Sequence, residues 1–345
     1  MMYIQMDGLV SGGYTLTGVS DYAYLKGGGR DIYLLGEIHE ETDCSCTKNC
    51  YSPTDFIKAL AETRPVDVFV EATYHKSYSQ VYLASPMTDF IKQNESCLVK
   101  SKNSGLLCNF PNTRFHPVNI RVNGTVLGTL FNICLSDVYS QGYERGVYAA
   151  CVDYLDRHDL YGQIVNYYDD LLSLRQMRDN SLYRADLHMM SLHTEFSKKY
   201  QKRYLHVIAK LQRNLASLTD DVRGRIKAGV MTYLQKFSRE RRLFTSLREK
   251  FRRVLKRSPD SYIRLDKYIA PPNCDSLIFI FSLLQDVYTA ARMYRQPLAT
   301  MVAYVGGVHV INLSQILKLL TSTEWSHTRS KNCLTVSNRP LVATR

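Results

Sequence analysis

The sequence has little that would place it in a membrane or in the secretory pathway. No stretch approaches the roughly 20 apolar residues of a membrane-spanning helix, and residues 1–5 lack the basic-then-apolar layout of a signal peptide. P-loop, nucleophilic-serine, zinc-finger and homeodomain patterns are also missing. These absences predict an intracellular protein, cytoplasmic or nuclear, or a virion component. They give no support to an acyl-enzyme or to nucleoside-triphosphate chemistry.

Cysteine is present but does not form a recognisable framework. The count of nine is odd and is spread over a chain of 345 residues, so we expect most thiols to be reduced. Cys44, Cys46 and Cys50 form one cluster with His39 just upstream, a composition that could hold zinc. Because Cys-x-Cys-x3-Cys is not a standard knuckle spacing, a thiol-rich loop is the preferred interpretation.

Charge of one sign is in excess. The chain carries 44 Lys and Arg against 32 Asp and Glu, a net charge of +12, which favours an acidic partner such as nucleic acid, an anionic membrane or a capsid neighbour. Within residues 237–257 apolar residues recur at helical spacing and predict one buried stripe. The stripe consists of Phe237, Phe244, Leu247, Phe251 and Leu255.

The opposite face of this basic helix would attract phosphate without reading sequence, as a non-specific polyanion or nucleic-acid surface. The alternative is a solvated helix face without a partner. The basic residues are Arg239, Arg241, Arg242, Arg248, Lys250, Arg252, Arg253, Lys256 and Arg257.

Apolar segments that end in chemically active side chains predict the fold. Residues 31–36 run into Gly36-Glu37-Ile38-His39, residues 66–70 run into Glu71, and residues 301–305 run into Gly306-Gly307-Val308-His309. Continuous apolar runs indicate strands buried on both faces, as in a parallel sheet. With a further strand at 114–121, they predict an α/β fold with a central, mainly parallel sheet.

The rest of the chain is expected to be arranged around that sheet. Ser52 before Pro53 predicts a capped helix to about Glu62, and 275–293 predicts one long buried helix. We expect an N-terminal arm at 1–30, an α/β core of 31–136 and 270–320, a helical insertion of three to five helices at 137–269, and a loose polar tail at 321–345.

Taken in order, these motifs resemble the Tiki/TraB superfamily, which includes the erythromycin esterases and ChaN-like haem-binding proteins. The resemblance rests on the two flanks of the chain and has the look of a divergent homologue from a large DNA virus or its host. It implies site residues, with His75 as a further candidate, at the following positions: Glu37, His39, Glu71, Arg121, Arg178 and His309.

One of these positions lies beside a departure from the family pattern, and another has an alternative interpretation. Asn119 stands where related proteins have the aspartate of Asp-x-Arg, so a charge is lost beside Arg121. Arg178 lies in a segment similar to the family's Arg-Asp helix, and the alternative is a solvated surface couple with Asp179. The remaining histidines, which we expect to be hydrogen-bonded core residues, are His116, His158, His188, His193, His206 and His327.

Two chemistries fit these residues, and the sequence leaves both open. In one, His39, Glu71 and His309 hold a divalent metal ion (Mn, Co or Zn) whose water attacks an ester or amide of a small-molecule or peptide substrate. In the other, no metal is used and a histidine–glutamate pair activates the water. A catalytically inactive scaffold that binds partners through its basic helix is the rival class.

Parallel strands open on the same side, which predicts where the site residues meet. Glu37, His39, Glu71 and His309 should converge on one crevice, with Arg121 or Arg178 lining it.

Overall fold

The chain folds into two compact units, residues 1–119 with 296–345 and residues 120–295. The computed structural model describes residues 14–37, 50–72, 86–98, 110, 112–120, 124–134, 143–194, 197–257, 262–263, 275–296, 298–320, 324–329 and 333–336. The second unit is wider than the predicted insertion of 137–269 on both sides, since it begins at Ile120 and ends at Arg295.

A six-stranded sheet, ordered β10-β2-β3-β9-β5-β6, forms the centre of the first unit. The four neighbouring strands β3, β9, β5 and β6 are parallel, while β2 and β10 run antiparallel. The mainly parallel central sheet predicted from the apolar runs is confirmed. The strands are β2 (Asp21–Gly27), β3 (Arg30–Glu37), β5 (Val66–Val70), β6 (Thr113–Pro117), β9 (Thr300–Gly306) and β10 (Glu324–Arg329).

Residues that are far apart in sequence are neighbours in this sheet. Leu34 of β3 lies opposite Ala303 of β9, and Glu37 lies opposite Gly306. β9 also pairs with β5 and therefore lies between β3 and β5, which the helix Pro53–Thr63 connects in sequence. β6 ends at Pro117, earlier than the predicted 121, and the N–H groups of Val118 and Asn119 continue the pairing by donating to the carbonyls of Val70 and Ala72.

Parts of the segments 1–30 and 321–345, which were expected to be an arm and a tail, form paired strands. β2 joins β3 through a two-residue hairpin at Gly28 and Gly29, whose positive φ angles of 59° and 73° are those a tight turn of this kind requires. β10 pairs with β2. A second sheet, ordered β11-β1-β4, consists of β1 (Tyr14–Thr17), β4 (Cys50–Tyr51) and β11 (Cys333–Val336).

Helices cover both faces of the central sheet. On one face, α1 (Pro53–Thr63) and α2 (Pro86–Gln93) bury Phe56, Leu60 and Phe90 against Leu35 and Tyr304, and α3 (Glu95–Leu98) follows α2. The predicted cap of α1 is confirmed, because Ser52 Oγ accepts a hydrogen bond from the Asp55 N–H and Pro53 occupies the first turn.

α12 (Gly307–Leu317) packs on the other face. It lies so close to β3 that a Cβ added to Gly36 would stand 2.8 Å from Val310 Cγ2 and 2.9 Å from the Gly307 Cα. Since side chains alternate along a strand, Gly36 faces away from Leu35 and Glu37. The glycine therefore lets α12 approach the backbone of β3.

The second unit is helical. Its helices are α4 (Val126–Cys134), α5 (Arg145–Arg157), α6 (Leu160–Leu172), α7 (Ser181–Ser191), α8 (Ser197–Ala216), α9 (Asp220–Gln235), α10 (Arg241–Arg257) and α11 (Asp275–Arg295). Six of these, α5 to α10, lie within the predicted insertion, where three to five were expected. The long helix near the end of the unit is confirmed as α11.

Two smaller features complete this unit. Short 3₁₀ turns stand at Met177–Asp179 and Ser238–Glu240, and β7 (Tyr143–Glu144) pairs with β8 (Tyr262–Ile263). Among the described residues, none of the helices has both the length and the apolar character that crossing a membrane requires.

Replacing Gly36 with alanine should destabilise the first unit. The new Cβ would contact the Gly307 backbone, which cannot move aside as a flexible side chain can, so we expect a loss of roughly 1–3 kcal/mol in the free energy of unfolding. Gly146→Ala is the matched control: its added Cβ meets nothing within 4 Å, and the change should be neutral or slightly stabilising. Urea unfolding measures both, and equal stability of the two variants would contradict the close approach of α12.

Candidate active site

A buried carboxylate–imidazole pair lies at the carboxyl edge of the parallel strands. Glu71 directly follows β5, and His309 lies in the first turn of α12, directly after β9. The Nε2 atom of His309 is 3.4 Å from Oε1 of Glu71, and the two side chains are 4% and 3% exposed. The sequence predicted that His309 would end the strand, but the strand ends at Gly306 and the helix begins at Gly307.

The backbone of the neighbouring strand fixes the position of Glu71. Its other carboxylate oxygen, Oε2, accepts a hydrogen bond of 2.7 Å from the Gly306 N–H. Its own N–H donates to the Tyr304 carbonyl over 3.1 Å. Glu71 is thereby attached to β9 at both its backbone and its side chain, and the histidine that follows β9 faces a carboxylate whose position is set.

Glu37 lies at the same edge of the sheet but makes its described contacts on the other face. Alternation along β3 puts its side chain with Tyr33 and Leu35, under α1 and α2. Its Oε2 accepts a 2.7 Å hydrogen bond from the Met87 N–H in the first turn of α2, where a negative charge is favourable. Burial and the Glu37 carboxylate raise the pKa of the Tyr304 phenol well above its usual value.

Asp21 is a residue at the edge of the site that no sequence motif points to. It is buried at the start of β2, opposite Gly36, and its Oδ2 accepts a 2.9 Å hydrogen bond from Ser20 Oγ. A Cβ on Gly307 would collide with this same Oδ2. The carboxylate therefore stands against the first turn of α12, the turn that holds His309. This position of Asp21 follows only from the pairing of β2 with β3, because the Ser20-Asp21 pair matches no recognised motif.

The structure brings together only some of the predicted site residues. Glu71 and His309 are in direct contact, and Glu37 shares their edge of the sheet. His39, His75 and Arg121 lie outside the described residues. Arg178 lies in the second unit with its side chain 78% exposed, and its Nε is 4.0 Å from Asp179 Oδ1, the geometry of a surface couple. Its predicted role in the site therefore has no support from its contacts.

The states of three cysteines are described. Cys50 and Cys97 are both disulfide-bonded, and Cys151 is a free, buried thiol whose pKa burial raises. A disulfide sulfur is not available as a thiolate ligand, so Cys50 does not take part in a zinc site. Cys44 and Cys46 lie outside the described residues.

The described residues include two of the three predicted metal ligands. Within the part of the chain that the structure describes, no group of three His, Cys, Asp or Glu side chains is arranged to hold a metal. Glu71 and His309 supply two donors, fewer than the three protein ligands of an ordinary catalytic zinc site. The third predicted ligand, His39, is not among the described residues.

The other histidines are a mixture of core and surface residues. His116 is the core residue that was predicted, since its Nε2 lies 2.8 Å from Asp67 Oδ1 on the neighbouring strand. His193 is buried, and burial lowers its pKa. His158 is half-buried against the Tyr154 ring. His188 and His206 are exposed, contrary to expectation, and nothing is described for the side chain of His327.

Comparisons with protein-family models, with curated proteins and with solved structures found no match to this chain. The resemblance to the Tiki/TraB superfamily is therefore carried by the sequence motifs alone.

Asp67 should make the stability of the first unit depend on pH. Burial acts to raise its pKa, but hydrogen bonds from His116 and Arg114 outweigh burial and hold the pKa below its usual value. Since the pKa of Asp67 is lower in the folded chain, its stabilisation is full above about pH 4 and is lost as the pH falls through the folded value.

Comparing Asp67→Asn with the parent protein tests this dependence. The variant should lose on the order of 2 kcal/mol at pH 7, and the difference should shrink as the pH falls below about 4. Asp179→Asn, at an exposed position, is the control and should be neutral. Urea unfolding at a series of pH values gives the measurement, and a difference independent of pH would contradict the assignment.

Proposed function

We propose that the first unit is a hydrolase similar to the Tiki/TraB and erythromycin esterase-like proteins, which activates water to cleave an ester or amide bond. The observation that supports this proposal best is the Glu71–His309 contact of 3.4 Å, buried at the carboxyl edge of four parallel strands. In open α/β sheets this edge is where ligands bind. The substrate would be a small molecule or a peptide.

His309 would act as the general base. With Nε2 directed at the Glu71 carboxylate, the other ring nitrogen, Nδ1, is the one that takes a proton from the attacking water. The carboxylate then stabilises the imidazolium that results. A separation of 3.4 Å is long for a hydrogen bond, and such contacts commonly tighten when substrate binds.

A divalent metal ion (Mn, Co or Zn) would supply a water of lowered pKa at the same place, with Glu71 and His309 among its ligands. Among the described residues Glu71 and His309 are two of the three ligands that such a site would use, and the third, His39, lies outside them.

A second candidate function is non-specific polyanion or nucleic-acid binding by α10. Its buried stripe of Phe244, Leu247, Phe251 and Val254 leaves Arg242, Arg253 and Lys256 exposed on the opposite side. Arg248 and Arg252 are already paired with Asp156 and Glu249, which reduces the net charge of the face. Among the basic residues of α10 whose exposure is described, a surface that attracts phosphate would therefore depend on Arg242, Arg253 and Lys256.

The hydrolase proposal predicts that both members of the buried pair are required. In a screen of nitrophenyl esters and peptide amides, His309→Ala and Glu71→Gln should each lower kcat by about 10²–10⁴-fold, the usual contribution of a general base. His188→Ala and Glu62→Gln, at exposed positions, are matched controls that should keep full activity. Far-UV circular dichroism would check the fold of each variant.

Full activity in both site variants would refute the proposed chemistry. Repeating the assay with a chelator separates the two mechanisms: activity that survives assigns the water to the histidine–glutamate pair, and activity that is lost assigns it to a metal.

The polyanion function predicts binding that weakens steeply with salt. Replacing Arg242, Arg253 and Lys256 together with glutamine should weaken binding to duplex DNA or heparin and reduce the salt slope by about 1 for each phosphate that is no longer neutralised. Lys198, Lys202 and Arg213, which are exposed on α8, provide a control triple variant of equal charge change. Fluorescence anisotropy at salt concentrations from about 50 to about 200 mM, the range over which such binding weakens, is a suitable measurement.

Equal loss of affinity in both triple variants would assign the binding to the net charge of the chain, and binding insensitive to salt would exclude the mechanism.

A further inference from the structure

The second unit contains a cavity of its own. Its volume is about 40 Å³, room for roughly three water molecules or one small polar head group. Three tyrosines, Tyr167, Tyr168 and Tyr204, form much of its wall, and Leu127, Phe281 and Leu284 are half-buried lining residues of α4 and α11. The half-buried residues mark where a ligand tail would leave the cavity.

One carboxylate lies in this wall. Asp186 of α7 is buried, with Oδ2 accepting a 2.7 Å hydrogen bond from Tyr204 OH and Oδ1 accepting a 2.8 Å hydrogen bond from the Val126 N–H. The Tyr204 hydroxyl is in turn 3.1 Å from that of Tyr167. Neither partner of Asp186, the Tyr204 hydroxyl or the Val126 N–H, carries a charge, and a carboxylate has lone pairs for further donors.

Asp186 has one structural role that needs no ligand. Val126 is the first residue of α4, so the carboxylate caps that helix from a neighbouring one. An asparagine could satisfy both partners, with its oxygen accepting from Val126 and its amide donating to the Tyr204 hydroxyl, so capping alone does not account for a buried acid. Burial raises the pKa of Asp186 to about 7, against two hydrogen bonds that lower it. A cation in the cavity would favour the charged form.

The chemistry of the wall matches a positively charged ligand. Tyrosine rings attract cations through their faces, and a carboxylate supplies the opposite charge. Asp286 of α11 is a second buried carboxylate, outside the lining, and burial, Tyr167 and Asp286 together raise the pKa of Tyr168. We propose that this cavity is a binding site for a small primary amine, whose ammonium group contacts Asp186 and whose alkyl tail passes between Leu127 and Phe281.

The test compares ligands that differ in charge but not in size. Using the full chain at pH 8, calorimetry or saturation-transfer NMR should show that n-propylammonium chloride binds at least tenfold more tightly than 1-propanol. Equal binding of the two would overturn the proposal, since the cavity would then select for apolar volume only. Tetramethylammonium, which cannot donate hydrogen bonds and is bulkier, should bind more weakly than propylammonium.

A matched pair of variants tests the carboxylate itself. Asp186→Asn keeps a hydrogen-bonding group for both Tyr204 and Val126 but removes the charge, so propylammonium affinity should fall at least tenfold while 1-propanol binding is unchanged. Asp153→Asn makes the same change at an exposed position of α5 and should leave the affinity as it was. Unchanged affinity in folded Asp186→Asn would refute the assignment.

A measurement on the parent protein keeps the proposal testable if Asp186→Asn fails to fold. Propylammonium affinity should fall about tenfold between pH 8 and pH 6, because protonation removes the Asp186 charge while an alkylamine stays protonated. Tyr167, Tyr168, Tyr204 and the nearby thiol of Cys151 have raised pKa values and stay neutral over this range. An affinity that does not change with pH would show that Asp186 is not the counter-ion.

Discussion

The parallel pairing of β3 with β9 is the constraint on which the first unit depends. Its register sets Glu37 opposite Gly306, and the next strand along, β5, delivers Glu71 to the Gly306 N–H. The turn from β9 into α12 then brings His309 back towards Glu71. Gly36 permits this return, because any side chain there would push α12 away from the sheet. The buried pair thus results from strand order and one missing Cβ.

The sequence could predict the sheet because long apolar runs are enough to identify buried parallel strands. It did not specify the two antiparallel strands Asp21–Gly27 and Glu324–Arg329, since they are held by pairing with partners that no local pattern indicates. It also undercounted the helices. The helix ends at His158 and Leu174 contain neither glycine nor proline, and no local sequence pattern predicts the φ of 57° at Leu174.

The candidate site was predictable to the extent that it depends on strand ends. Glu71 and His309 follow apolar strands, and topology made them neighbours as the motif implied. The face of the sheet on which a side chain lies could not be predicted in the same way. Glu37 faces α2 because of the alternation along β3, and Asp21 reaches α12 only through a hairpin. Both facts depend on packing, which the spacing of residues does not encode.

A buried carboxylate is not by itself a sign of chemistry in this protein. Glu37 accepts from the first turn of α2, and Asp186 from the first turn of α4, so each has a structural role at a helix N-terminus. What distinguishes Glu71 is its second oxygen, which lies beside an imidazole. An imidazole held beside a carboxylate can take a proton from water, whereas an oxygen that accepts from a helix N-terminus needs only its lone pairs. The catalytic proposal therefore rests on His309 more than on any of the acids around it.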